Sequence, residues 1–247
     1  TSWGIWPNTF NLEEATFTFL EHVLDEVLAL FPDPYIHIGG DEAPKTQWNA
    51  SPAAQAYMRQ HNLADAEQLQ SYFVGRMDAF LHQRGRRMVG WDEILEGGLA
   101  PHATVMSWRG EQGGIAAARQ GHDVVMTPGH STYLCQYQFD PPGGETLGIG
   151  GFLPLEKVYG YEPVPAELTP DQARHILGTQ AQLWTEYVTS QEQADFKLFP
   201  RLCALAEVAW SAVEGREYAD FVARLAEHMR RLEALGVQHA GIRAPGR

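Results

Sequence analysis

Apolar residues at Phe17, Leu20, Val23, Leu24, Val27, Leu28 and Phe31 recur at the three-and-four spacing of one helical face. Asn11, with Glu14 three positions on, predicts a capping box at the start of this helix, with Phe10 and Ala15 at the staple positions. Pro32 and Pro34 end it, because proline has no amide hydrogen to give to a helix. A strand over 35–39 follows. A second helix is predicted over about 65–83, with Leu69, Tyr72, Phe73, Met77, Phe80 and Leu81 on one side. Gly85 ends it, and Met88 to Trp91 reads as the next strand.

The alternation continues with a strand from Ala103 to Trp108, a helix over 112–120 and a strand from Asp123 to Thr127. A Gly/Pro-rich loop runs from Phe139 to about Pro154. Ile176 to Trp184 reads as a final strand, followed by helices over about 195–212 and 217–235. Strands alternating with helices predict parallel βαβ units. No repeat or charge block interrupts the five strands, so a single domain without a linker is expected. Five strands are too few to close an eight-stranded barrel.

Polar and aromatic residues gather at or just beyond the strand ends: Asp41 and Glu42, Trp91 to Glu93, Trp108 and Arg109, Tyr133, Trp184 and Glu186. A (β/α)₈ barrel and a doubly wound sheet both bind ligands at that edge, so the clustering leaves the two open. The strongest chemistry lies in His37-Ile38-Gly39-Gly40-Asp41-Glu42. Two adjacent carboxylates stand where a buried strand opens into a loop, and the glycines admit conformations that side chains forbid. Mutual repulsion and burial can keep one carboxyl protonated while its neighbour stays charged.

Composition narrows the partners. A formal net charge of -13 and the lack of a basic stripe disfavour nucleic acid. No apolar run approaches the ~18 residues needed to cross a bilayer. Seven Trp, nine Tyr and eleven Phe suit flat-faced ligands such as sugars, and serve equally as core material. Cys135 and Cys203 show neither a disulfide framework nor a zinc spacing, although they could pair. No phosphate loop or metal-ligand cluster is present, so neither a cofactor nor a metal is expected.

The His-x-Gly-Gly-Asp-Glu element, Trp91, Ser107-Trp108-Arg109-Gly110, Tyr133-Leu134, Leu183-Trp184-Thr185-Glu186 and Pro200-Arg201 through Ala206-Glu207 with Trp210 together resemble glycoside hydrolase family 20, the β-N-acetylhexosaminidases. The motifs occur in that family's order along essentially the whole chain. The resemblance implies a (β/α)₈ TIM barrel in which residues 1–247 form the C-terminal portion, strands four to eight with their helices. The first three strands, and a substrate-gripping Arg carried by the first of them, are then missing. It also implies an exported protein acting on N-acetylhexosamine-containing oligosaccharides or glycoconjugates.

By that resemblance, hydrolysis is substrate-assisted and retaining. Glu42 is the general acid and then the base, and Asp41 orients and stabilises the 2-acetamido group whose carbonyl attacks the anomeric carbon. Tyr133 hydrogen-bonds the acetamido oxygen. Trp91, Trp108 and Trp184 wall the acetamido pocket, and Glu186 binds ring hydroxyls. Read from the residues themselves, His37 is structural or supports the site at one remove rather than catalysing, and Arg109 either supports the acidic pair or makes a structural ion pair. Arg201, Glu207 and Trp210 read as helix packing and ion pairing.

One position departs from the family. Cys135 stands where an Asp commonly contacts the outer hydroxyls of the sugar, and a thiol is a weak donor and acceptor. A non-catalytic carbohydrate-binding relative is therefore a competing expectation. A retaining β-glycosidase using Glu186 as its nucleophile is another. The three tryptophans could also be barrel core.

Overall fold

A computed structural model of the chain describes residues 3–140 and 145–242, so Pro141–Gly144 of the predicted 139–154 loop lie outside the described residues. The chain divides into two compact units. One holds the residues up to Ser107 together with Gln112–Val124, the other Trp108–Glu111 and the residues from Val125 onward.

The first unit contains α1 (Glu14–Leu30), β1 (Tyr35–His37), α2 (Thr46–Ala50), α3 (Pro52–His61), α4 (Ala66–Gln83), β2 (Arg87–Trp91), a 3₁₀ turn over Asp92–Leu95, β3 (Thr104–Ser107) and α5 (Gln112–Arg119). β1 and β3 flank β2, both parallel to it, with Ile36 opposite Met88 and Gly90 opposite Val105. Phe17, Leu69, Leu81, Met88, Ile94 and Val105 are wholly buried. Each such side chain contributes roughly 1.5–3 kcal/mol when withdrawn from water.

Two expectations for this unit change. The capping box at Asn11 and Glu14 does not form: Glu13 occupies the cap position, and Asn11 Oδ1 accepts from the Glu13 N–H at 3.1 Å. Glu14 is drawn instead to Arg76 on α4, in a two-pronged pair at 3.0 Å. The apolar stripe of α1 is buried chiefly at Phe17, which meets Phe73 at 5.0 Å, while Val23 and Phe31 remain exposed. The helices α2 and α3 were not expected, because residues 46–61 lack a long apolar stripe. Their signals are local: Ser51 caps α3 by accepting from the Ala54 N–H, Pro52 begins it, and Asn62 ends it in a left-handed conformation.

The second unit takes in Val125 and Met126 of β4 (Val124–Met126), then α6 (Gly129–Thr132), α7 (Leu155–Tyr159), α8 (Pro170–Ala173), β5 (Ile176–Thr179), α9 (Gln191–Leu198), α10 (Arg201–Trp210) and α11 (Tyr218–Ala234). Here the Thr179 hydroxyl and the Gln180 N–H donate to Met126 O at 2.7 and 3.3 Å. The predicted strand over 176–184 is regular only to Thr179. Beyond it, Gln182 makes an isolated bridge with Tyr133. The single helix predicted over 195–212 is two helices, because Pro200 has no amide hydrogen to continue the first. Along α11, Phe221, Leu225, Met229 and Leu232 are buried on one face. Trp210, expected to pack, is 90 % exposed.

The strands follow one another in the sheet in chain order, β1-β2-β3-β4-β5. A doubly wound sheet reverses its order at a switch point. This order has no reversal.

Candidate active site

In the first unit, β1 ends at His37 and the chain turns sharply through Gly39 (φ 78°), Gly40 (φ 97°) and Glu42 (φ 47°). A glutamate in the left-handed region is strained, and such strain persists only where the surroundings impose it. The surroundings here are specific. Trp91 N–H donates to Gly39 O at 2.9 Å, and Gln70 Nε2 of α4 donates to Gly40 O at 3.0 Å. Lys45 Nζ donates to Ala43 O at 2.9 Å and also bonds Gln70 Oε1. Gln70 is therefore a buried anchor for the acidic turn. Sequence reasoning missed it, although a glutamine next to Leu69 in the middle of an apolar helix face was a signal.

His37 supports the same turn. Its Nδ1 accepts from the Gly39 N–H at 3.0 Å, and its ring meets Trp91 edge-on with centroids 4.7 Å apart. Asp92 and Glu93, which follow Trp91, are buried, and the Ser107 hydroxyl donates to Asp92 Oδ2 at 3.5 Å. Loss of hydration, reinforced by the negative charge of Asp41, holds the Glu42 carboxyl above the usual range. The pair thus favours a proton on Glu42, the state that a general acid needs.

In the second unit, Tyr133 follows α6. Its ring lies nearly parallel to Trp108 at a centroid distance of 6.2 Å, and edge-on to Trp184 at 5.8 Å. Gly129 N–H donates to Trp108 O at 2.9 Å, and a Cβ on Gly129 would already touch the Tyr133 ring at 3.4 Å. Trp108, Tyr133 and Trp184 are thus one aromatic group, with Trp184 37 % exposed. Glu186 Oε2 is buried and has no hydrogen-bond partner among the described residues. Cys135 is 1 % exposed, its thiol donates weakly to Ile149 O at 3.9 Å, and burial pushes its pKa up. Arg109 is exposed.

The expected role of Arg201 in ion pairing is replaced by another. It is wholly buried, and its guanidinium donates to three main-chain carbonyls. Glu207 does pair, with Arg224 at 2.8 Å, and accepts from the Tyr159 hydroxyl at 2.8 Å. No group of three or more His, Cys, Asp or Glu side chains among the described residues is placed to hold a metal ion. No described helix is long and apolar enough to cross a membrane.

The description "Glycosyl hydrolase family 20, catalytic domain" matches residues 1–213. A beta-hexosaminidase of Porphyromonas gingivalis is 48 % identical over 239 residues, covering 96 % of this chain and 31 % of that protein. One from Vibrio furnissii is 42 % identical over 193 residues, covering 77 % of this chain and 32 % of its own length. The crystal structure of an exo beta-N-acetylglucosaminidase from Vibrio harveyi, in complex with N-acetylglucosamine, superposes with a TM-score of 0.83 at 38 % identity, covering 94 % of this chain and 36 % of that one. The chain thus spans about a third of the length of the curated relatives it matches. It belongs to glycoside hydrolase family 20.

Proposed function

We propose that the chain is the C-terminal portion of the catalytic barrel of an exo-acting β-N-acetylhexosaminidase, supplying strands four to eight. It removes terminal N-acetylglucosamine or N-acetylgalactosamine from oligosaccharides or glycoconjugates. The observation that carries this reading is the acidic turn: Asp41 next to Glu42, with Glu42 in a left-handed conformation and its carboxyl biased toward the protonated form. The unreversed strand order supports the barrel assignment.

Glu42 protonates the departing glycosidic oxygen. The acetamido carbonyl of the substrate attacks the anomeric carbon from the other face, forming an oxazolinium ring, and the bond to the leaving group breaks. Asp41 stabilises the positive charge that develops on the amide nitrogen, and Tyr133 holds the acetamido oxygen in line by a hydrogen bond. Glu42, now a carboxylate, takes a proton from water as that water opens the ring, so the configuration is retained. Trp91, Trp108 and Trp184 exclude water from the acetamido group. Glu186, whose buried oxygen lacks a partner among the described residues, accepts from sugar hydroxyls. Arg109 is a supporting residue in this reading and does not react.

The experiment compares aryl N-acetyl-β-glucosaminide with aryl β-glucoside in the complete enzyme, with a cyclic thiazoline as inhibitor. Turnover of the first only, with thiazoline inhibition, is expected. Equal turnover of both without inhibition transfers the nucleophile to Glu186. Binding without turnover makes the protein a carbohydrate-binding relative.

A further inference from the structure

Arg201 stands at the first position of α10, and a helix start is the positive end of its dipole. A buried cation there needs a separate reason. Nη1 donates to Leu153 O at 3.0 Å, and Nη2 to Leu134 O at 2.6 Å and Lys197 O at 2.7 Å. Leu134 lies between Tyr133 and Cys135, and its own N–H donates to Gln182 O at 2.8 Å. This one residue is therefore gripped from both sides, by α10 through its carbonyl and by the segment leading to Trp184 through its amide. Gln182 N–H returns to Thr132 O at 3.1 Å, and Gln182 Oε1 accepts from the Thr132 hydroxyl at 3.2 Å.

Burying a guanidinium is costly unless its donors are satisfied. Two of its bonds reach main-chain carbonyls of the segment that carries Tyr133 and of the chain just before α7, a third reaches Lys197 O of α9, and Nε has no partner among the described residues. Packing alone does not require that commitment. An aliphatic residue would fill the space and leave the loop free.

We propose that Arg201 is a positioning residue for sugar recognition: through the Leu134 carbonyl it sets where Tyr133 and Cys135 stand relative to Trp184. The consequence for catalysis rests on the hexosaminidase reading, whereas the grip on Leu134 does not. Lysine cannot reproduce it, because an ammonium is a point charge without the planar fork that reaches several carbonyls at once.

The test uses Arg201→Lys, Tyr133→Phe and the double variant in the complete enzyme, with hydrogen exchange followed by peptide. Exchange is expected to accelerate in the peptide spanning 130–137 while α11 keeps its protection. Misplacing Tyr133 by a fraction of an ångström is expected to lower kcat/KM on an N-acetyl-β-glucosaminide by ~10- to ~100-fold. The double variant should then lose no more than Tyr133→Phe alone. Multiplicative losses, or exchange that rises equally throughout the second unit or nowhere, overturn the proposal. A wild-type enzyme inactive on N-acetylglucosaminides removes the hexosaminidase reading, and the exchange result alone then decides on Arg201. Should Arg201→Lys fail to fold, Thr132→Val loosens the opposite side of the same residue and is judged by the same local exchange and the same coupling to Tyr133→Phe.

Discussion

A Cβ built on Gly40 would lie 2.7 Å from Cγ2 of Ile94, the wholly buried residue of the 3₁₀ turn after β2. Gly40 also sits at φ 97°, which side chains rarely adopt. Gly40→Ala therefore meets both a clash and a strained backbone, the second alone costing roughly 1–3 kcal/mol. The denaturation midpoint of the complete enzyme should fall, and kcat/KM should fall with it because Asp41 and Glu42 follow directly. An unchanged midpoint and unchanged activity would show that the turn can be rebuilt without glycine.

Glu42→Gln removes the proton donor. General acid–base catalysis contributes about 10²–10⁴-fold, so hydrolysis of substrates with poor leaving groups should fall by that order. An activated aryl leaving group should recover part of the loss, since it needs little protonation. Equal losses for both kinds of substrate would take the acid role from Glu42.

The raised pKa of Glu42 has a thermodynamic consequence as well. In the window between its unfolded and folded pKa values the folded protein binds the extra proton. Stability from this group is thus complete below the unfolded value and is lost as pH rises through the folded one. Glu42→Gln should raise the melting temperature near neutral pH and leave it unchanged below the ordinary glutamate range. A stabilisation of equal size at both pH values would place its origin elsewhere.

Asp41→Asn should impair good and poor leaving groups alike, because it acts on the acetamido group and not on the departing oxygen. It should also weaken binding of a cyclic thiazoline, which mimics the charged ring. Thiazoline affinity that survives the substitution would separate Asp41 from the intermediate.

Cys135→Asp replaces a buried thiol with a charged acceptor within electrostatic reach of Glu186. A hydrogen bond to a charged group contributes roughly 1.5–3 kcal/mol, or about one to two decades in kcat/KM. The gain should appear in KM and in the preference between gluco and galacto substrates, with leaving groups handled as before. The unliganded variant should be less stable, because the new carboxylate is buried near another. If neither KM nor sugar preference moves, Cys135 is packing and not part of the sugar site.

The order of strands and helices was readable from the sequence because apolar spacing reports which face of an element meets the core. The five strands, the long helices α4 and α11 and the end of β1 at the acidic turn all follow from it. The pattern His37 to Glu42 is local chemistry: its glycines adopt the positive φ values that residue type permits, within six consecutive positions. Tertiary structure alone decided the partners. Glu14 left its expected cap for Arg76, 62 residues away, because an ion pair between helices competes with a local cap. Gln70 reaches Gly40 across 30 positions, and Arg201 reaches Leu134 across 67. Such bonds carry no periodic signal. They depend on which main-chain carbonyls the folded chain brings within reach of a buried donor, and neither residue type nor spacing encodes that.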